Sequence, residues 1–149
     1  MKKLAINRRA RFDYEILETF EAGLVLKGYE VKSIKTGRVS LKGAFVTIRG
    51  EELYLTNANI PLYQHAGLIN DYDPASPRKL IMHKKEIKRL IGKARTEGLT
   101  LVPISVYNKR NLIKLEFALA KGKKQRDKRE DIKKREDKRR VERMMKNVN

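Results

Sequence analysis

Cysteine and tryptophan are absent from this 149-residue chain, and it holds only four prolines and four phenylalanines. Without cysteine there can be no disulfide and no thiolate chemistry, and secretion gains no support. Aromatic residues make up 7% of the chain, too few for the broad stacking platform of a typical single-strand binder. The six tyrosines, at 14, 29, 54, 63, 72 and 107, read mostly as core or rim. No apolar run approaches the ~20 residues of a membrane span. The opening MKKLAINRRAR has the basic start of a secretory leader, but its apolar stretch is only Leu4-Ala5-Ile6 before Asn7-Arg8-Arg9 interrupts it. That is far short of an h-region, and the expectation is a cytoplasmic protein with no membrane partner.

Catalytic patterns are equally scarce. His65 and His83 are the only histidines and stand in no HExxH or HxE arrangement, so a hydrolytic zinc site has no support. Asp71 and Asp73, in NDYDP, weigh more as turn formers than as metal ligands. No Walker loop or GxSxG occurs, and the nine glycines never gather into a phosphate cradle. No cofactor is expected, and an enzyme survives only as the alternative of a small basic ribonuclease.

Positive charge is present in excess. The formal net charge is +18 and charged residues are 36% of the chain, which predicts a polyanionic partner. Composition changes near Lys121. Residues 121–149 carry 14 Lys/Arg against 6 Asp/Glu, with no glycine or proline after Gly122, while every Phe and Tyr lies before them. The expected organisation is a folded body over 1–120 and a basic tail over 121–149.

The body reads as short strands with helices between them. DYEILETFEAGLVL (13–26) is extended, with a break expected at Ala22-Gly23. EVKSIKTG is a short helix stopped by Gly37. AFVTI and LYLTN flank Arg49-Gly50-Glu51-Glu52 as a hairpin. Ser76-Pro77 reads as the N-cap and first position of a helix running to Glu97 and closed by Gly98, with Ile87, Leu90, Ile91 and Ala94 on its apolar face. It carries eight bases against two acids, a field suited to phosphate. LTLVPISVY and LIKLEFALA complete the set, the second alternating Ile113, Leu115, Phe117 and Leu119 inward with Lys114, Glu116, Ala118 and Ala120 outward. About five hairpin-connected strands with two or three helices imply a mainly β fold, a small closed or nearly closed barrel, with Pro103 at an edge or bulge.

In the tail, Glu130→Lys134, Asp131→Arg135, Glu136→Arg140 and Glu142→Lys146 place an acid four residues before a base. Together these pairs contribute about 1–2 kcal/mol, less than the roughly 1 kcal/mol per residue needed to order the chain. Val141, Met144, Met145 and Val148 form a short apolar stripe. The expectation is a tail frayed when alone and helical against a partner. At the other end, Asn7-Arg8-Arg9-Ala10-Arg11 reads as a basic arm.

The ordered stretches NRRARFDYEILETFEAGLVLKGYEVKSIKTGRVSL, PRKLIMHKKEIKRLIGKA, EGLTLVP and ALAKGKKQRDKRED resemble the SmpB family, the SsrA-binding proteins of bacterial trans-translation, over essentially the whole chain. The resemblance implies an OB-like RNA-binding barrel with peripheral helices and a C-terminal tail that becomes helical on binding, in a monomer. It implies as partners the tRNA-like domain of transfer-messenger RNA and the ribosome, with its decoding centre, mRNA channel and ribosomal RNA. Carried over by position, the RNA-holding residues are Asn7, Arg8, Tyr14, Glu21, Lys79 and Ile81, joined by Arg9 and Arg11 of the arm and by Lys121, Lys123 and Lys124 where the tail begins. Asp127, Lys128 and Arg129 match a motif acting near the decoding centre, and Lys138, Arg139, Met144, Met145 and Lys146 are the remaining ribosome-contacting candidates of the tail. A general RNA chaperone is the rival reading among binding proteins.

Overall fold

The computed structural model describes residues 2–67, 69 and 71–146. In chain order its elements are β1 (Lys2–Ile6), α1 (Ala10–Asp13), β2 (Tyr14–Leu24), α2 (Gly28–Lys35), β3 (Phe45–Arg49), β4 (Glu52–Thr56), β5 (Arg78–Ile81), α3 (Lys84–Glu97), β6 (Thr100–Lys109), β7 (Leu112–Gly122) and α4 (Gln125–Lys146). The seven strands form one antiparallel sheet in the order β1-β6-β7-β2-β5-β4-β3. The sheet curls until β3 faces β6, but β1 and β3 remain its edges and it does not close into a barrel.

One face of the curled sheet makes the core. Phe117, Leu115, Leu119, Leu53, Leu55 and Leu80 are buried there with Ile34 of α2 and Leu90 of α3. The stripe Ile87, Leu90, Ile91 and Ala94 is the buried side of α3, and Gly98 ends that helix in the left-handed conformation at φ 63°. Gly50 takes φ 61° in the two-residue turn of the β3–β4 hairpin, where Arg49 pairs with Glu52. Pro103 sits at a register shift in β6, so its missing N–H costs the ladder nothing.

Four expectations are revised. The stretch after Pro77 is not the start of the helix: Arg78–Ile81 is a strand in which Arg78 and Leu80 are buried and Lys79 and Ile81 exposed, a period of two that overrides the helical reading. The helix begins at Lys84 with His83 as its N-cap. The irregularity in β2 falls between Ile16 and Glu18, not at Ala22-Gly23; Gly23 instead permits close approach of β5, since a Cβ there would stand 3.3 Å from the Ile81 Cβ. Finally, Ala118 and Ala120 do not face solvent. They are covered with Val102 and Ile104 by Ala10 of α1, in a second small core on the opposite side of the sheet.

Candidate nucleic-acid interface

That second core decides which sequence-predicted residues stand together. Ala118 lies opposite Thr19 and Val102, and two residues along the same face Glu116 lies opposite Glu21 and Ser105. One step further Lys114 is paired with Gly23 and Tyr107, and Gly23 with Ile81. Cross-strand partners share a face, so α1 with Arg11, Glu21 and Ile81 all occupy the outer face of the sheet. Lys79 joins them from β5 and Lys3 from β1.

The arm at one end of this face is held, not loose. The Asn7 N–H donates to the Ile104 carbonyl at 2.7 Å, and its side-chain amide to the Pro103 carbonyl at 2.9 Å. Asn7 therefore spends its side chain on anchoring the turn to the β6 irregularity. Arg8 and Arg11 are exposed, while Arg9 reaches Asp13 at 3.2 Å and lies 4.8 Å over the Phe12 ring. Tyr14 is half-buried against the second core.

The root of the tail closes on the same place. The Lys123 N–H donates to the Asp13 carbonyl at 2.9 Å, and the Lys123 ammonium donates to the Arg11 carbonyl at 2.9 Å and to the Asp131 carboxylate. Lys128 reaches Asp13 at 3.3 Å, and Arg135 lies 5.2 Å over Phe12. Partial burial pulls the Asp13 carboxyl up, but Arg9 and Lys128 together outweigh it and hold it below its ordinary value. Asp131 is lowered chiefly by its bond to Lys123. Lys121 and Lys124 stay exposed beside this junction.

α4 is one continuous helix over Gln125–Lys146, where the sequence predicts order only against a partner; its contacts to the body reach as far as Arg135. None of the four acid-before-base pairs is among the ion pairs of the described residues; α4 instead carries Arg126–Glu130 and Asp137–Arg140, each at 3.9 Å. Asp127 accepts from the Lys124 N–H at 3.3 Å, closing the first turn. Arg129, Lys138, Arg139 and Lys146 are exposed, as are Val141, Met144 and Met145, while Val148 lies outside the described residues.

At the centre of the outer face Glu21 is flanked by groups 86 or more residues away. Tyr107 donates its hydroxyl to Glu21 Oε2, and the Lys109 ammonium stands 3.2 Å from the same oxygen. The bond from Tyr107 first, and the cations Lys109 and Lys114 after it, hold the Glu21 carboxyl below its ordinary range. Burial, and then the Glu21 carboxylate, push the Tyr107 phenol far up. Ile81, 57% exposed, leans over Gly23 beside them.

The bases of 77–97 do not all join this face. Arg78 is spent in the interior, its guanidinium bound to Glu30 at 2.6 Å and only 2% exposed. Lys79 is paired with Glu52 at 2.8 Å. The bases of α3 stand on the layer that covers the core, and Arg89 there is bound to Glu18 at 3.2 Å. The helical basic field predicted for 77–97 is thus divided among three places.

A family model described as SmpB protein matches residues 4–147. The chain belongs to the SmpB family. An SsrA-binding protein of Acaryochloris marina is 53% identical over 145 residues, covering 97% of this chain and 94% of that protein. Another, of Thermosipho melanesiensis, is 51% identical over 147 residues, covering 98% of this chain and 99% of its own. A solved chain described by the words "tmRNA-SmpB: a journey to the center of the bacterial ribosome" is 50% identical and superposes with a TM-score of 0.65, over 80% of this chain and 84% of that one. Tyr107, Lys109 and Phe12 are members of the outer face that sequence reading passes over. Tyr107 reads as core or rim in the sequence, and only strand register places it and Lys109 at Glu21.

Proposed function

We propose that this chain is an RNA-binding adaptor of trans-translation, which binds the tRNA-like domain of transfer-messenger RNA and brings it to stalled ribosomes. Residues 1–120 form the RNA-holding unit, and 121–149 form the tail, which enters the empty mRNA channel as a helix. The protein acts in the cytoplasm as a monomer and performs no catalysis of its own. The observation that carries the reading is the outer face, which gathers Arg11 of α1, the tail root at Lys121–Lys124, and the Glu21–Ile81 centre on one side of the sheet. Arginines and lysines supply phosphate affinity, whereas a carboxylate repels phosphate and accepts from base or ribose donors. A face with both has the means to prefer one RNA shape over another.

The test is binding of the full chain to a tRNA-like elbow RNA and to plain duplex RNA across a salt series. The reading expects tighter binding to the elbow at every salt, with a slope of about 0.7–0.9 per phosphate contacted. Substituting Arg8 and Arg11 with alanine should weaken both RNAs and flatten the slope by up to about 2. Equal affinity for elbow and duplex would move the general RNA-chaperone reading ahead, and magnesium-dependent cleavage of the bound RNA would restore the ribonuclease.

A further inference from the structure

At Glu21 the two carboxylate oxygens are treated differently. Oε2 accepts from the Tyr107 hydroxyl and from Lys109 at 3.2 Å, while Oε1 has Lys109 at 3.5 Å. The side chain remains 38% exposed and Lys109 is 44% exposed, so solvent and ligand reach the acid although its partner phenol is 97% covered, Tyr107 having 3% exposure. A glutamate free to rotate loses rotamer entropy when a ligand fixes it. Here the buried phenol, rooted in β6, has fixed it beforehand.

Two residues along β2 from Glu21 stands Gly23, opposite Ile81 of β5, so no side chain stands between Glu21 and Ile81, whose exposed aliphatic surface begins 3.3 Å from where a Cβ would be. The result is a shallow site with an apolar ledge on one side and a directed acceptor on the other, flanked by Lys114. A sugar or base face fits the ledge and an N–H or O–H donor fits the acceptor.

We infer that Tyr107 and Lys109 are positioning residues for Glu21, holding its less engaged oxygen, Oε1, toward a nucleoside that rests on Ile81, and so set the preference for the elbow over plain duplex. This rests on Glu21 belonging to the RNA-holding face. The donor on the RNA is an exocyclic amine or a ribose hydroxyl; RNAs with inosine for guanosine, or with single 2′-deoxy sugars, separate the two sources.

The experiment measures elbow and duplex binding for the full chain and for Glu21→Ala, Tyr107→Phe, Lys109→Ala and Glu21→Ala/Tyr107→Phe. Glu21→Ala is expected to weaken elbow binding about tenfold and duplex binding not at all. Tyr107→Phe should weaken elbow binding about three- to tenfold, with no further loss when added to Glu21→Ala. Carboxyl NMR of Glu21 in Tyr107→Phe should show it titrating nearer the ordinary glutamate range, a change that loosened packing alone would not give. If Glu21→Ala weakens the elbow while Tyr107→Phe and Lys109→Ala do not, the positioning role is wrong and the assignment of Glu21 stands. If Glu21→Ala has no effect, the RNA-holding role of Glu21 itself fails. Lys109→Ala, at an exposed turn-proximal site, carries the test should Tyr107→Phe fail to fold.

Discussion

Replacing Glu30 with alanine should be among the most destabilising single changes in this protein. Arg78 has five N–H donors and all are used: Nε and one Nη2 hydrogen go to Glu30 Oε2 at 2.9 and 2.6 Å, Nη1 binds the Ala58 and Pro74 carbonyls at 2.9 and 2.8 Å, and Nη2 also meets the Tyr72 hydroxyl at 3.2 Å. Glu30 in turn accepts from the Lys27 N–H at 3.1 Å, closing the start of α2. With Arg78 2% and Glu30 7% exposed at the side chain, removal of the carboxylate leaves a guanidinium charge buried with only carbonyl and hydroxyl partners. Breaking such a pair costs about 3–5 kcal/mol, a large share of the ~5–15 kcal/mol by which a domain of this size is stable. At about 2–4 °C per kcal/mol, the unfolding midpoint should fall by roughly 6–20 °C. Thermal and urea unfolding followed by circular dichroism measure it, with Glu52→Ala as the control. That substitution breaks the Lys79 pair, whose members are 45% and 42% exposed, and should cost less than about 1 kcal/mol. If Glu30→Ala costs no more than Glu52→Ala, burial is not what gives the Arg78 pair its weight. The Arg78 contacts also tie the chain around Ala58 and Pro74 to α2, so limited proteolysis of Glu30→Ala should cut first between 61 and 77.

Other outcomes follow from the outer face and the tail root. Asp131→Asn and Asp13→Asn should each leave the global unfolding transition essentially unchanged and raise amide exchange in the first turns of α4, detectable by NMR. Both carboxyls titrate below their ordinary values in the folded chain, so their contribution is present above the ordinary aspartate range and is lost as pH falls through the lowered folded values. Acid titration of α4 exchange should therefore show the junction loosening only below that range, and loosening near neutrality would refute the assignment. Gly23→Ala forces the exposed Ile81 to give by a few tenths of an ångström; stability should change by less than about 1 kcal/mol while the elbow preference falls. Met144→Ser/Met145→Ser removes surface already 62% and 73% exposed, so the unfolding midpoint of the free chain should not move.

Local patterns carried the elements whose partners lie close in sequence. The alternation in 113–119, the Gly50 turn and the Gly98 stop appear where the residues imply them. What stayed hidden depended on distant partners. Arg78 reads as one more base in a basic segment until a glutamate 48 residues away is brought to it. Ala118 and Ala120 are indifferent to either face, and only α1 folding back over them decides that they are interior. Tyr107 and Glu21 lie 86 residues apart; a slip of one residue in the pairing of β6, β7 and β2 would turn them to opposite faces. The RNA-holding candidates Glu21 and Ile81 rest on family resemblance, and the fold adds the reason they share a surface.

The joint between sheet and tail is also a mechanical element. β7 ends at Gly122 and α4 begins at Gln125, leaving only Lys123 and Lys124 to turn the chain, and Lys123 is bonded to both α1 and α4. A helix of 22 residues extends about 33 Å. A tilt of ten degrees at its root therefore carries the far end through about 6 Å, the width of a helical turn. Small changes at Lys123, Asp13 or Asp131 act as changes of aim: they leave every residue of the tip intact and send it to a different address.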